Sequence, residues 1–108
     1  MTYIPAIFDT AQFDYSYFTV LYFTSGQTAL SKSLDYNNGV ITSARLKATI
    51  ASGSFNFYLS ADGGVNWESV TNNVAYPFVN TGSDLRWKIT ENAASSGEIT
   101  NVEVVDYK

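Results

Sequence analysis

The side chains that most often carry catalysis are scarce in this chain of 108 residues. It contains no His and no Cys, which excludes the usual proton shuttle, thiolate nucleophiles and thiolate metal sites. Its ten acidic residues leave the paired carboxylates of a glycosidase to consider, which need a fixed spacing across a cleft. Most of these acids fall in predicted turns or on predicted outer faces, and no pair stands out. We therefore predict no catalytic residues and no enzymatic activity.

Metal binding would draw on the acidic residues of the turns. Asp35, Asp62 and Asp84 each lie in a predicted turn, where carboxylates and free carbonyl oxygens can converge on calcium. No Asp-x-Asp-x-Asp-Gly spacing occurs, and the backbone hydrogen bonding of turns accounts for the same residues. The prediction is that the chain uses no metal and no cofactor, with a calcium site as the alternative.

Basic residues are few, and they bear on the choice of partner. The chain has six Lys and Arg residues, a net charge of −4 and a pI near 4.4, whereas tracking a nucleic-acid backbone requires clustered positive charge. No basic region precedes an apolar segment near residue 1, and no apolar run approaches the roughly 20 residues that span a bilayer. We predict no nucleic-acid partner, no membrane partner and no N-terminal signal.

The basic residues of two predicted strands fall on outer faces: Arg45, Lys47, Arg86 and Lys88. They would form a basic stripe if the two strands were neighbours. Cross-strand pairing with Glu68, Glu98 or Glu103 is the predicted use of these charges, and the basic stripe is the alternative.

The clearest structural signal is the stretch Ser54–Trp67. Phe55, Phe57 and Leu59 alternate with less apolar residues, which is the period of a strand with one buried face. An Asp-Gly-Gly turn follows, because Asp bonds its own backbone and Gly reaches positive φ without a Cβ clash. We predict a hairpin whose second strand brings Trp67 back to the same core.

Similar signals recur along the chain. Turn-forming clusters fall at residues 35–39, 71–73 and 80–83, and apolar alternation marks strands near residues 40–50, 85–90 and 99–105. Trp87 is in phase with Leu85 and Ile89, so both tryptophans are predicted to be buried. Short strands, frequent turns and no helical segment predict an all-β fold, a single antiparallel β-sandwich or jelly-roll-like domain over residues 1–108. Pro5 favours an N-terminal arm over residues 1–12.

The segment Phe13–Phe23 is rich in large residues on both of its faces. One interpretation is a strand inside the sandwich whose outer aromatic side chains are covered by the arm or tolerated in water. The other is a subunit interface, because monomers rarely expose large apolar patches. The predicted interface residues are Phe13, Tyr15, Tyr17, Phe18 and Tyr22. On this second interpretation the protein is a homo-oligomer.

Residues 60–67, Ser-Ala-Asp-Gly-Gly-Val-Asn-Trp, resemble the Asp-box, written Ser-x-Asp-x-Gly-x-Thr-Trp, with Asn66 where Thr is usual. In sialidase-like propellers this box is a hairpin brace, remote from the catalytic centre, and it recurs once per blade. Here it occurs once, so the resemblance implies a fold element and no glycosidase. The structural turn comprises Asp62, Gly63, Gly64 and Trp67.

A broader resemblance covers roughly residues 41–105. A strand, Ser-Ala-Asp-Gly-Gly, Trp-Glu, then Asn-Thr-Gly-Ser-Asp-Leu-Arg-Trp-Lys and a last short strand is an order similar to the small β-sandwich modules in structural proteins of tailed bacteriophages. The resemblance implies a virion component of the tail, neck or capsid surface that works by binding other virion proteins. Threefold surface sites on such particles favour a trimer.

A stand-alone carbohydrate-binding module is the alternative function, since sugar rings stack on exposed aromatic faces. Tyr58 lies on the outer face of its strand by phase, and together with Tyr36 and Tyr76 it could form a platform. These three tyrosines are the predicted platform for a cell-surface glycan. Discrete oligomers would favour the virion hypothesis, and a monomer would favour the glycan hypothesis.

Overall fold

Nine β-strands make up the part of the chain that the computed structural model describes, which is residues 3–4, 10–13, 20–23, 27–92 and 97–108. No helix occurs in these residues, and the prediction of an all-β, sandwich-like fold is confirmed. The strands are β1 (Tyr3–Ile4), β2 (Thr10–Phe13), β3 (Val20–Phe23), β4 (Thr28–Ser31), β5 (Asp35–Ser52), β6 (Phe55–Ser60), β7 (Glu68–Val70), β8 (Tyr76–Glu91) and β9 (Gly97–Tyr107).

The long strand β8 joins the two parts of the sheet. Its first half pairs with β5, which continues through β9 and β3 to β1. Its second half lies between β6 and β4, and β7 and β2 complete that part. The pairs β1–β3 and β2–β4 are parallel, and the other described pairs are antiparallel. The predicted hairpin of β6 and β7 is confirmed, with Leu59 opposite Glu68.

Apolar side chains from both parts of the sheet form the core. Alternate positions of β5, β6, β8 and β9 point inward, as their periodicity predicts. Trp87 is fully buried, in agreement with the prediction, and the Phe23 and Phe55 rings meet edge-on with centroids 4.9 Å apart. The largest fully buried apolar side chains are Trp87, Phe23, Ile41, Leu46, Leu59, Leu85, Ile89, Ile99 and Val102.

The predicted turn at residues 35–39 is wrong, because these residues belong to β5. Asn37 and Gly39 have φ values of 55° and 103°, and the pairing with β8 shifts register between Tyr36 and Ile41. Positive φ here produces an irregularity within a strand instead of a reversal. A second shift between Ile41 and Ser43 changes the side-chain phase, so Ile41 is buried whereas Val40 is 57% exposed.

The predicted turn at residues 80–83 is also wrong, since β8 runs through it without a break. Gly82 is needed there for close approach of another chain segment. A Cβ atom at this position would overlap the carbonyl oxygen of Ala61 and lie 3.0 Å from the Cα atom of Asp62. The residue types typical of a turn therefore mark the close approach of two backbones, which form a parallel bridge between Asp62 and Asp84.

The N-terminal predictions fall partly outside the described residues. Tyr15, Tyr17 and Phe18 lie there, and of Phe13 and Tyr22 only the strand positions in β2 and β3 are described. The prediction of one strand from Phe13 to Phe23 is wrong at its ends, because Phe13 lies in β2, the last strand of the order, whereas Phe23 lies in β3, the second. Within the predicted arm, Tyr3–Ile4 pairs with β3 and residues 10–12 of β2 pair with β4.

Candidate functional site

A candidate site lies on the outer face of the β7–β6–β8–β4 part of the sheet. Tyr58 of β6 is directly opposite Ser69 of β7 on one side and Lys88 of β8 on the other. Lys88 is in turn opposite Leu30 of β4. Side chains directly opposite each other on one face of a sheet are in contact range. The register therefore places Tyr58 and Lys88 side by side, both half-buried.

Trp67 joins these residues on the outer face. In β7, Glu68 and Val70 point inward opposite Leu59 and Phe57, so the residue before Glu68 points outward. The prediction that Trp67 is buried in the core is wrong, since its side chain is only half-buried. The sequence contains a pattern that indicates this position, because counting back from the inward-facing Val70 places Trp67 on the outer face. The pattern is difficult to recognise because Glu68, at an inward position, is polar.

The ammonium group of Lys88 lies over both aromatic rings. Its Nζ atom is 4.7 Å from the ring centroid of Tyr58 and 5.0 Å from that of Trp67, within the range of a cation–π interaction. None of the carboxylates in the described part of the chain lies within ion-pair distance of Lys88. The Tyr58 hydroxyl and the Trp67 indole N–H likewise have no hydrogen-bond acceptor among the described residues. We call Tyr58, Trp67 and Lys88 the aromatic–lysine site.

The turn at residues 60–66 positions Trp67. The Asp62 carboxylate accepts hydrogen bonds from the Ser60 hydroxyl at 2.7 Å and from the backbone and side chain of Asn66 at 2.9 and 2.7 Å. The Ser60 hydroxyl also accepts the N–H of Gly64 at 2.8 Å. Burial alone would raise the pKa of Asp62, and the hydrogen bonds from Asn66 and Ser60 outweigh it and lower the pKa. Asp62 is therefore held as a carboxylate that organises the turn.

Two glycines make this turn possible. Gly63 and Gly64 have φ values of 75° and 89°, which residues with a Cβ atom rarely adopt. A Cβ atom on Gly64 would lie 3.2 Å from the Trp67 ring, so the glycine allows the indole to pack against the turn. The turn is bonded to β8 through Asp84, whose N–H donates to Ala61 and whose carbonyl accepts from Gly63, both at 3.0 Å. These bonds fix Trp67 relative to Lys88.

The predicted platform of Tyr36, Tyr58 and Tyr76 is not assembled. Tyr36 is 67% exposed and is opposite Asp84 of β8, whereas Tyr58 is opposite Lys88. Tyr76 is half-buried, and its hydroxyl donates to Glu68 at 2.8 Å. Only Tyr58 therefore belongs to the aromatic–lysine site.

Glu68 is buried and serves the interior. Its carboxylate accepts the hydroxyl of Tyr76, the backbone N–H groups of Val79 and Asn80, both at 2.9 Å, and the side-chain amide of Asn80. The prediction that Glu68 pairs with a basic residue across strands is wrong. Burial alone would raise the pKa of Glu68, and the bonds from Val79, Asn80 and Tyr76 outweigh it and lower the pKa.

The other charged residues are distributed over separate sites. Lys47 is opposite Glu103 on β9, and Arg86 forms an ion pair with Asp84 at 3.3 Å. Arg45 and Lys47 pair with β9, whereas Arg86 and Lys88 pair with β6, so no continuous basic stripe forms among the described residues.

The carboxylates considered for calcium do not form a cluster. Asp35 forms an ion pair with Lys108 at 2.6 Å, and Asp62 and Asp84 are bonded as described above. Within residues 27–92 and 97–108, no three acidic side chains come together in a group that could hold a metal ion. Asp106 lies near Asp35, and burial together with that neighbour raises the pKa of Asp106.

A second surface is the outer face of β5, β8 and β9. Ser43 of β5 lies between Tyr107 of β9 and Pro77 of β8, and Val105 is two residues from Tyr107 on the same face. Val79, two residues from Pro77, is 81% exposed. We call Pro77, Val79, Val105 and Tyr107 the apolar outer face.

No protein-family model matches this chain, and a comparison with curated proteins also finds no match. The described residues contain no helix long and apolar enough to cross a membrane.

Proposed function

We propose that the protein is a non-enzymatic structural or assembly protein of a tailed-bacteriophage virion. It binds copies of itself and other virion proteins in the tail, neck or capsid surface. The virion assignment is supported by the sequence resemblance over residues 41–105. The observation that carries the binding role is the apolar outer face, where Pro77 and Val79 of β8 and Val105 and Tyr107 of β9 are exposed on either side of β5.

Such a face has a physical cost when it is left in water. Covering a large apolar side chain contributes roughly 1.5–3 kcal/mol, and contiguous apolar patches on a surface mark binding sites. A few residues of this kind, meeting a complementary surface in a closed symmetric assembly, are sufficient for a stable association. We propose a homo-oligomer, with a trimer as the expected stoichiometry.

Light scattering of two matched variants tests the apolar outer face. Val79 and Val65 are equally exposed, at 81% and 80%, but Val65 lies in the turn at residues 60–66. Val79→Lys is expected to reduce the wild-type oligomer to a folded monomer, and Val65→Lys, which adds the same charge, is expected to keep its mass. A monomeric wild type, or equal masses for all three proteins, contradicts the proposal.

The N-terminal aromatic residues remain a second predicted interface. Tyr15, Tyr17, Phe18 and Tyr22 are replaced singly by Ser, and mass and folding are followed separately. A folded monomer locates the interface in this segment, whereas wild-type mass for every variant excludes it.

Mass spectrometry of purified tailed particles whose genome encodes this chain tests the virion assignment, since the protein is expected at a fixed ratio to the other particle proteins.

Carbohydrate binding is a second candidate, and the aromatic–lysine site favours it. Two half-buried rings on one outer face, with donors that have no described acceptor, suit a sugar that stacks and accepts hydrogen bonds. Retention of wild-type protein on immobilised glycans, with loss in Trp67→Ala, is the expected result. Equal retention of both proteins would contradict this candidate.

A further inference from the structure

We propose that the aromatic–lysine site binds a sugar residue that carries a carboxylate, a uronate or a sialate, within an oligosaccharide. The inference rests on the carbohydrate-binding candidate above and adds the class of sugar. It requires Tyr58 and Trp67 to provide the stacking surface and Lys88 to provide the charge.

The two rings are positioned before any ligand arrives. Tyr58 is fixed by its place in β6 between Ser69 and Lys88. Trp67 is held by the turn, with Gly64 against its ring. Because both side chains are half-buried, little conformational entropy remains to be lost when a ligand stacks on them. A pyranose ring presents a face of C–H groups that suits an aromatic surface.

The charge of Lys88 determines which sugar is favoured. Two other basic residues, Arg86 and Lys108, are neutralised by Asp84 and Asp35. Lys88 forms cation–π contacts with Tyr58 and Trp67 and no ion pair with the residues that the structure describes. An ammonium group with no carboxylate partner among the described residues is a site for an external anion. The ring hydroxyl of Tyr58 and the indole N–H of Trp67 add donors for the acceptors of a sugar.

The charge of the whole chain limits how many anionic groups the ligand carries near the site. The net charge is −4, so a densely charged polyanion is repelled at long range. One carboxylate on an otherwise neutral ring satisfies Lys88 without that penalty. The site therefore favours an acidic sugar over nucleic acid or a polyphosphate.

Calorimetric titration with matched ligands tests the proposal. Two pairs differ only in whether the single carboxylate is free or esterified: glucuronosyl-xylose with its methyl ester, and 3′-sialyllactose with its methyl ester. At least one acidic member is expected to bind about tenfold more tightly than its neutral partner, which corresponds to about 1.4 kcal/mol, and added salt is expected to reduce the difference. Binding should also change the tryptophan fluorescence, because Trp67 lies in the site.

Variants separate the charge from the stacking surface. Lys88→Gln is expected to abolish the preference for the acidic sugar and to leave weak binding of both members. Trp67→Ala is expected to lose both. Lys47→Gln removes the same charge from a different face and is expected to bind like the wild type. Circular dichroism and urea unfolding establish that each variant is folded.

The outcomes distinguish the acidic-sugar inference from the carbohydrate-binding candidate on which it rests. Equal affinity for the acidic and neutral members overturns the charge assignment and retains carbohydrate binding. An undiminished preference in Lys88→Gln overturns the assignment of Lys88. Failure of the folded wild type to bind any of the four ligands overturns both the acidic-sugar inference and the carbohydrate-binding candidate, and leaves the virion proposal unaffected.

Discussion

The carboxylate of Glu68 accepts the backbone N–H of Asn80 at 2.9 Å, which ties the short strand β7 to the first half of β8. The same carboxylate accepts the N–H of Val79 and the hydroxyl of Tyr76. A buried carboxylate is stable only when such donors replace its water. These hydrogen bonds, which we call the Glu68 clamp, therefore hold β8 in place where its pairing changes from β5 to β6.

Glu68→Gln is expected to lower the free energy of unfolding by about 2 kcal/mol. The substitution removes a charged acceptor and brings an amide N–H₂ group against backbone donors, and hydrogen bonds to charged groups contribute about 1.5–3 kcal/mol. Glu103→Gln, on the exposed face of β9, is the control and is expected to change stability by less than about 0.5 kcal/mol. Urea unfolding at neutral pH measures both. Equal effects of the two variants would contradict the clamp.

Acid is expected to weaken the protein through the same group. The pKa of Glu68 is lowered from its ordinary value of 4.5, so the unfolded chain binds the proton more readily than the folded one. The stabilisation is complete above the unfolded pKa and is lost as pH falls through the folded pKa. Urea midpoints between about pH 6 and pH 3 should decline in the wild type and decline less in Glu68→Gln. Parallel curves would contradict this assignment.

Gly82→Ala is expected to destabilise the protein by about 1–3 kcal/mol, the usual effect of overpacking. The added methyl group would overlap the Ala61 carbonyl oxygen where that segment lies against β8. Thr81→Ala, at an exposed neighbouring position, is the control. Thermal unfolding followed by circular dichroism measures both variants. If Gly82→Ala were as stable as the control, the backbone of Ala61 would not lie as close to Gly82 as described.

The two tryptophans are expected to differ. Trp87→Ala should cost about 3–5 kcal/mol because it leaves a cavity in the core, whereas Trp67→Ala should cost about 1 kcal/mol, as expected for a side chain near the surface. Iodide should quench the emission of Trp67 in a Trp87→Phe variant and have little effect on Trp87 in a Trp67→Phe variant. Equally weak quenching of both variants would show that Trp67 is buried.

Asp62→Ala is expected to lower stability by about 1–2 kcal/mol, because the carboxylate organises the turn through its bonds to Ser60 and Asn66. Asp62→Asn keeps one acceptor oxygen and should lose less. Calcium is expected to leave the melting temperature of the wild type unchanged. A calcium-dependent rise in melting temperature that disappears in Asp62→Ala would identify a metal site instead of a structural turn.

Local periodicity was sufficient to predict the core of the second half of β8 and of β6. Alternation at Phe57 and Leu59, and at Trp87 and Ile89, depends only on the geometry of a strand, so it holds wherever the strand is placed. The outward position of Tyr58 follows from the same rule. Of the three residues of the aromatic–lysine site, Tyr58 was the one that the sequence analysis assigned to a binding platform.

The order of apolar and turn-forming residues along the chain by itself therefore determined an all-β fold with a tight turn after β6. Only the tertiary structure decided that Gly82 lies against the backbone of Ala61 and Asp62, that a buried Glu68 binds the backbone of β8 and that Trp67 lies beside Lys88. Glycine and asparagine allow the backbone to adopt positive φ, but whether the chain reverses direction there depends on the strands that pair with it. The face that a side chain occupies after a turn depends on the number of residues in that turn. Here the turn at residues 60–66 is held by hydrogen bonds to β8.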